Sequence, residues 1–129
     1  MQNKKNIHIL VVDDDAKFLN FIKLYLKING YDVTITETGR KCLEALKTAE
    51  PDIMLLDIIL PDIDGFNVLR QLRQCSAIPV IAWSATPEYS SRALKYGANV
   101  FMEKSFNLEY LLTHIQRLTD HQKRQPERL

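Results

Sequence analysis

Ile7-His8-Ile9-Leu10-Val11-Val12-Asp13-Asp14-Asp15 is the stretch on which the fold turns. Its first six residues are nearly all apolar and too few for a stable helix, so they read as a strand covered on both faces. Three carboxylates follow at the carboxyl end of that strand. Next come Phe18, Phe21/Ile22, Tyr25 and Ile28, apolar at helical spacing, and then Asn29-Gly30, where glycine can take the left-handed cap. One strand–helix unit is complete by residue 30.

The unit recurs along the chain. Residues 31–36, 52–57, 78–83 and 99–103 form further short apolar runs, and helical patterns occupy 15–29, 39–49, 65–74, 87–96 and 106–119. Residues 31–36 alternate Val33 and Ile35 with polar groups, which suits an edge strand. The last helix carries Leu108, Leu111/Leu112, Ile115 and Leu118 on a stripe that should face a core. The fourth opens with Thr86-Pro87, a cap followed by proline at the first helical position, and stops at Gly97. Its interior has the weakest apolar face, so it is expected to dock least firmly. Regular alternation with short connections implies an α/β fold, a parallel sheet between two helix layers. Right-handed crossovers point to a flavodoxin-like (βα)5 three-layer sandwich with strand order 2-1-3-4-5.

The 129 residues suit one domain, expected over 6–120, with 121–129 a polar tail or the start of a linker to a further domain. Seventeen Lys and Arg oppose sixteen Asp and Glu, and the terminal segments hold five of the basic side chains but only two of the acidic ones. Residues 7–119 hold 12 basic and 14 acidic side chains, which argues against direct nucleic-acid binding. No apolar run approaches the roughly eighteen residues of a membrane span, and residues 1–6 do not lead into a signal peptide. Cys42 and Cys75 lack any metal or CxxC spacing and read as reduced, buried or half-buried thiols of a cytoplasmic protein.

In an open α/β sheet, chemistry gathers at the carboxyl ends of the strands. There the sequence places Asp13, Asp14 and Asp15, then Asp57, then Ser84-Ala85-Thr86, then Glu103-Lys104-Ser105. With strands 3, 4 and 5 taken as neighbours of the first, these groups converge on one cleft. Each alone has a plain explanation: an Asp cluster caps a helix, Asp57 starts a turn with Pro61 and Gly65, and a lone lysine is a solvated charge. Together they say more, because clustered carboxylates repel and call for a cation. Hard oxygen donors suit Mg²⁺, while a lysine and a hydroxyl suit a tetrahedral dianion. The spacing suggests phosphoryl chemistry on Asp57 or binding of a small phosphate ester.

Ile9-Leu10-Val11-Val12-Asp13-Asp14-Asp15, Leu55-Leu56-Asp57 with Leu60-Pro61-Asp62-Ile63-Asp64-Gly65, Trp83-Ser84-Ala85, Tyr96-Gly97-Ala98 and Lys104-Ser105-Phe106 resemble the receiver domain of two-component response regulators. The resemblance covers residues 6–120. It implies that Asp57 is the phosphoacceptor for a histidine kinase or phosphotransfer protein. Asp13, Asp14, Asp57 and the backbone carbonyl of Ile59 would hold Mg²⁺. Lys104, Ser84 and the Ala85 backbone would bind the phosphoryl group, with Ser84 and Phe101 as switch residues. Asp15 has no ligand role in that pattern and is expected to start the helix. The output would be a shift of the helix 4, strand 5 and helix 5 surface, read by an output domain, an effector protein or a phosphorylation-dependent homodimer. The domain would be no enzyme in the ordinary sense, only assisting its own phosphorylation and dephosphorylation. Transcriptional control would need a further domain or a partner.

This sequence departs from the pattern at four places. Ser105 replaces proline after the lysine, and a trans bond is expected because a non-proline cis bond costs about 2.5–4 kcal/mol. Ser84 stands for threonine, Leu60 for methionine, and Asn99-Val100 for an acidic pair that supports dimerisation in some relatives. A haloacid-dehalogenase-type phosphatase would need Thr or Val where Lys17 stands. A flavin or dinucleotide carrier would need glycine motifs that the four glycines do not form. A receiver fold that binds partners without phosphorylation is the third alternative.

Overall fold

The computed structural model describes residues 6–105 and 107–124. Its elements are β1 (His8–Val12), α1 (Ala16–Ile28), β2 (Asp32–Thr36), α2 (Gly39–Ala49), β3 (Ile53–Asp57), α3 (Gly65–Arg73), β4 (Val80–Ser84), a 3₁₀ turn (Pro87–Tyr89), α4 (Ser90–Lys95), β5 (Val100–Glu103) and α5 (Leu108–Arg124). The five strands are parallel in the order β2-β1-β3-β4-β5, so the order read from the sequence holds and β2 is an edge. One expectation changes: β1 borders only β2 and β3, so groups from β4 and β5 reach its end across intervening strands.

Alternation along each central strand divides the core in two. Ile9, Val11, Ile53, Leu55, Ile81 and Trp83 pack with α1 and α5 residues on one face. Leu10, Val12, Met54, Leu56, Val80 and Ala82 pack with α2, α3 and α4 residues on the other. This two-sided burial is why the central strands are apolar almost throughout.

The helix faces carry the corrections. On α1 the buried stripe is Leu19, Ile22 and Leu26, whereas Phe21 and Ile28 are exposed. Ile22 is buried and Phe18 and Tyr25 pack against the core, as the spacing predicts. The helix is apolar on most sides, however, so the spacing also takes in Phe21 and Ile28 and passes over Leu19 and Leu26. On α5, Leu111 and Ile115 are buried and Leu108, Leu112 and Leu118 pack beside them, as the stripe predicts. The expected fourth helix over 87–96 is a 3₁₀ turn followed by six α-helical residues, and Ala93 alone of these is buried. Thr86 precedes the turn but makes no side-chain cap bond. Cys42 is buried, its thiol pushed up to about 12 by burial and then by the Asp62 charge. Cys75 is exposed rather than half-buried, because it lies past the last turn of α3. Phe106 and tail residues 125–129 lie outside the described residues, while α5 continues through Arg124.

Gly65 shows why α3 can start so close to the sheet. Its N–H donates to the Ile58 carbonyl at 2.7 Å, and a Cβ there would sit 2.6 Å from Ile58 Cα. Only glycine lets α3 close against the end of the strand that bears Asp57.

Candidate functional site

Asp13 leaves the end of β1 fully buried, and its Oδ1 accepts the Asp15 amide at 2.9 Å. Asp15 then caps α1, accepting the amides of Lys17 at 3.0 Å and Phe18 at 3.2 Å. That fits its expected role as a helix-start residue. Asp57 ends β3 at 4 % exposure, with Oδ1 accepting the Ile59 amide at 2.9 Å. Asp14 is exposed, yet one carboxylate oxygen from each of Asp13, Asp14 and Asp57 falls within 4.8 Å of the others.

Lys104 closes the group from the end of β5. Its Nζ lies 2.7 Å from Asp13 Oδ2 and 3.0 Å from Asp57 Oδ2. Its backbone N–H donates to the Ser84 carbonyl at 2.9 Å, which fixes the start of the stem. No described peptide bond is cis, so Lys104–Ser105 is trans and the lysine reaches the carboxylates without a proline after it. Ser84 is fully buried at the end of β4, its Oγ accepting the Thr86 amide at 3.0 Å. Ala85 is exposed at the cleft, Ile59 is half exposed, and Phe101 is half-buried against the α2–α3–α4 side of the core.

Electrostatics follow from this packing. Burial pushes the Asp57 carboxyl up to about 6, and the Asp13 charge adds to it, against the Ile59 amide and Lys104, which favour the ionised form. Burial works against the Lys104 ammonium, but the two carboxylates outweigh it and hold its pKa above the ordinary lysine value. Three carboxylates and one ammonium still leave net negative charge at the mouth of the site. Hard oxygen donors, one of them solvent-facing, fit a small divalent cation that keeps several waters, and Mg²⁺ is such an ion.

The sequence assigns no role at the site to three supporting residues, most of whose contacts are long-range. Phe18, read as part of a core stripe, lies with its ring centroid 5.0 Å from Lys104 Nζ. Asp62 accepts the Gly39 and Arg40 amides at 2.8 and 3.0 Å, tying the loop after β3 to the start of α2. Burial acts upward on the Asp62 carboxyl, yet the Arg40 and Gly39 amides outweigh it and hold its pKa low. Arg73 donates to the carbonyls of Gly97, Ser76 and Ile78 and to Asn99 Oδ1, at 2.7–3.2 Å.

Comparison with known proteins agrees with this geometry. The sequence model of the response regulator receiver domain matches residues 9–116. The chain is 36% identical over 115 residues to response regulator MprA of Mycolicibacterium vanbaalenii, covering 87% of this chain and 50% of that protein. With response regulator ArlR of Staphylococcus saprophyticus it shares 35% over 122 residues, 93% of this chain and 54% of that one. The chain thus spans about half the length of these curated relatives. Among solved structures, the Francisella response regulator 1452 receiver domain superposes with a TM-score of 0.85 at 33% identity, covering 92% of this chain and all of that one (100%). A CheY-like receiver domain from Methanospirillum hungatei gives 0.85 at 30% identity, covering 94% of this chain and 99% of that one. No helix among the described residues is long and apolar enough to cross a membrane. By fold, by sequence and by the acidic cluster at the strand ends, the chain belongs to the response regulator receiver domains, the signalling modules of two-component systems.

Proposed function

We propose that Asp57 accepts a phosphoryl group from a histidine kinase or phosphotransfer protein in the cytoplasm. The observation that carries this reading is Lys104 seated between Asp13 and Asp57, with Asp14 beside them. Asp13, Asp14, Asp57 and the Ile59 carbonyl would hold Mg²⁺, which when bound supplies positive charge for the phosphoryl oxygens.

The chain's own groups do the rest. Above a pH of about 6 the Asp57 carboxylate is ionised and can attack phosphorus in line. A bond forms from its oxygen to phosphorus while the bond to the donor breaks, the electron pair leaving on the donor. Lys104 offers a point charge to the phosphoryl oxygens. Ser84 has a hydroxyl proton to donate, and the Ala85 amide lies beside it. A phosphoryl group that bonds Ser84 better in one arrangement than another shifts the population of the α4, β5 and α5 surface, with Phe101 following. The short α4, anchored by Ala93, suits that role. The same site assists hydrolysis of the aspartyl phosphate. An output domain, an effector protein or a second phosphorylated copy would read the surface. Asn99 Oδ1 is engaged within the chain, by the Val80 amide at 2.8 Å and by Arg73, so a homodimer here would not draw on a charge at that position.

Incubation with acetyl phosphate and Mg²⁺, followed by intact mass, tests the reading. One added phosphoryl group, absent with EDTA and in Asp57→Asn, is expected. No addition under any condition would favour a receiver fold that binds partners unmodified.

A further inference from the structure

We propose that Phe18 is a positioning residue for Lys104, holding the ammonium against Asp13 and Asp57 through the face of its ring. The inference rests on the phosphoacceptor reading of Asp57 and adds a residue that the acidic and basic groups do not include. Lys104 Nζ lies 5.0 Å from the Phe18 ring centroid, within the range at which the ring's negative face attracts a cation. The ammonium therefore has carboxylates at 2.7 and 3.0 Å and an aromatic ring as its third neighbour.

The ring is itself held. Its centroid is 5.3 Å from that of Trp83 at an interplanar angle of 76°, an edge-to-face contact. Trp83 is fully buried on β4 and is the register partner of Asp57, so Phe18 rests on the strand next to the phosphoacceptor. The Phe18 amide donates to Asp15, and the Asp15 amide donates to Asp13. Asp13, the first turn of α1 and the ring thus form one connected unit.

A lysine stem has four rotatable carbons, and its side chain here remains 26 % exposed. Two carboxylates alone leave the ammonium free to lean toward solvent. The ring removes that freedom on one side and keeps water away, so less ordering remains for the transfer step. Leucine would keep most of the apolar contact with Trp83 but offers no negative face.

The test is the time course of phosphorylation by acetyl phosphate at saturating Mg²⁺, read by intact mass, with the Mg²⁺ dissociation constant measured by calorimetry. Phe18→Leu is expected to lower the maximal rate by about three- to thirtyfold, the span of a cation–π contact. Its Mg²⁺ affinity should stay at the wild-type value. Phe18→Tyr should restore the rate to within about twofold, because its ring has the same face. In a Lys104→Gln background, Phe18→Leu should cause no further loss.

A Phe18→Leu chain that reacts at the wild-type rate overturns the proposal. So does an equal loss in both backgrounds, which would mark a merely structural ring, or a loss that follows weakened Mg²⁺ binding. Should Phe18→Leu melt below the assay temperature, Phe18→Met takes its place under the same criteria. A wild-type chain that takes no phosphoryl group overturns the phosphoacceptor reading and this proposal with it. A wild-type chain that is modified, with Phe18→Leu unaffected, overturns the positioning role alone.

Discussion

Lys104 Nζ lies 3.0 Å from Asp57 Oδ2 although their strands, β5 and β3, are separated by β4. The ion pair bridges the end of the intervening strand and sets the charge balance of the cleft. Lys104→Met is expected to slow phosphorylation by acetyl phosphate roughly a hundredfold, the scale of losing one preorganised charge in a transfer site. It should also lower the melting temperature at neutral pH, because Asp13 and Asp57 then face each other without the ammonium. That deficit should shrink as the pH falls toward about 6, because Asp57 without Lys104 takes up its proton at a higher pH than in the wild-type chain. Thermal melts across pH, beside rate measurements, check both.

Asp57→Asn should stabilise the chain in metal-free buffer at pH 7. The folded carboxyl sits near 6 against an ordinary 3.8, so ionisation favours the unfolded chain. Wild-type stability is therefore fully present below the ordinary value and falls as the pH rises through about 6, while Asp57→Asn lacks that loss. The difference is at most about 3 kcal/mol and vanishes in acid. Denaturant titrations at pH 4 and pH 7 measure it.

Mg²⁺ should raise the melting temperature of the wild-type chain in a concentration-dependent way, since a cation bound only by the folded site stabilises it by mass action. Trp83, the single tryptophan, neighbours Asp57 in the register and should change its fluorescence saturably over the same range. EDTA should reverse both effects, and Asp13→Asn should weaken both.

Gly65 and Gly30 make a contrasting pair. Gly65→Ala forces a Cβ to within 2.6 Å of Ile58 Cα and 2.8 Å of the Asp57 carbonyl, so α3 or the end of β3 must shift. A loss above about 2 kcal/mol is expected, with slower phosphorylation. Gly30→Ala meets open space, and its cost comes only from a φ of +94°, so about 1 kcal/mol with no change in rate is expected. Chemical denaturation separates the two.

Asp62→Ala removes the acceptor for the first two amides of α2 and frees the loop after β3. A loss of about 1 kcal/mol is expected, as for a helix cap. Hydrogen exchange should rise at the Gly39 and Arg40 amides.

Much of this was legible in the sequence, for a physical reason. The central strands are buried on both faces, so they must be apolar, and the chain must turn polar where they end. Asp13, Asp57 and Lys104 stand at those ends, and strand order brings them together. Packing direction was less legible. Apolar residues surround most of α1, so Leu19 and Leu26 could not be told from Phe21 and Ile28 by spacing. Phe18 looked like one more core residue because nothing local marks a ring that faces a lysine from β5. Asp62 and Arg73 bond to groups more than twenty residues away in all but two contacts, and the positions of such partners leave no trace in the local sequence.

The most direct measurement is the position of the phosphoryl group. After reaction with acetyl phosphate and Mg²⁺, borohydride reduction converts an aspartyl phosphate to homoserine, which peptide mass spectrometry locates. Homoserine is expected at position 57, with aspartate retained at 13 and 14. Homoserine at 13 or 14 with Asp57 intact would place the phosphoacceptor elsewhere.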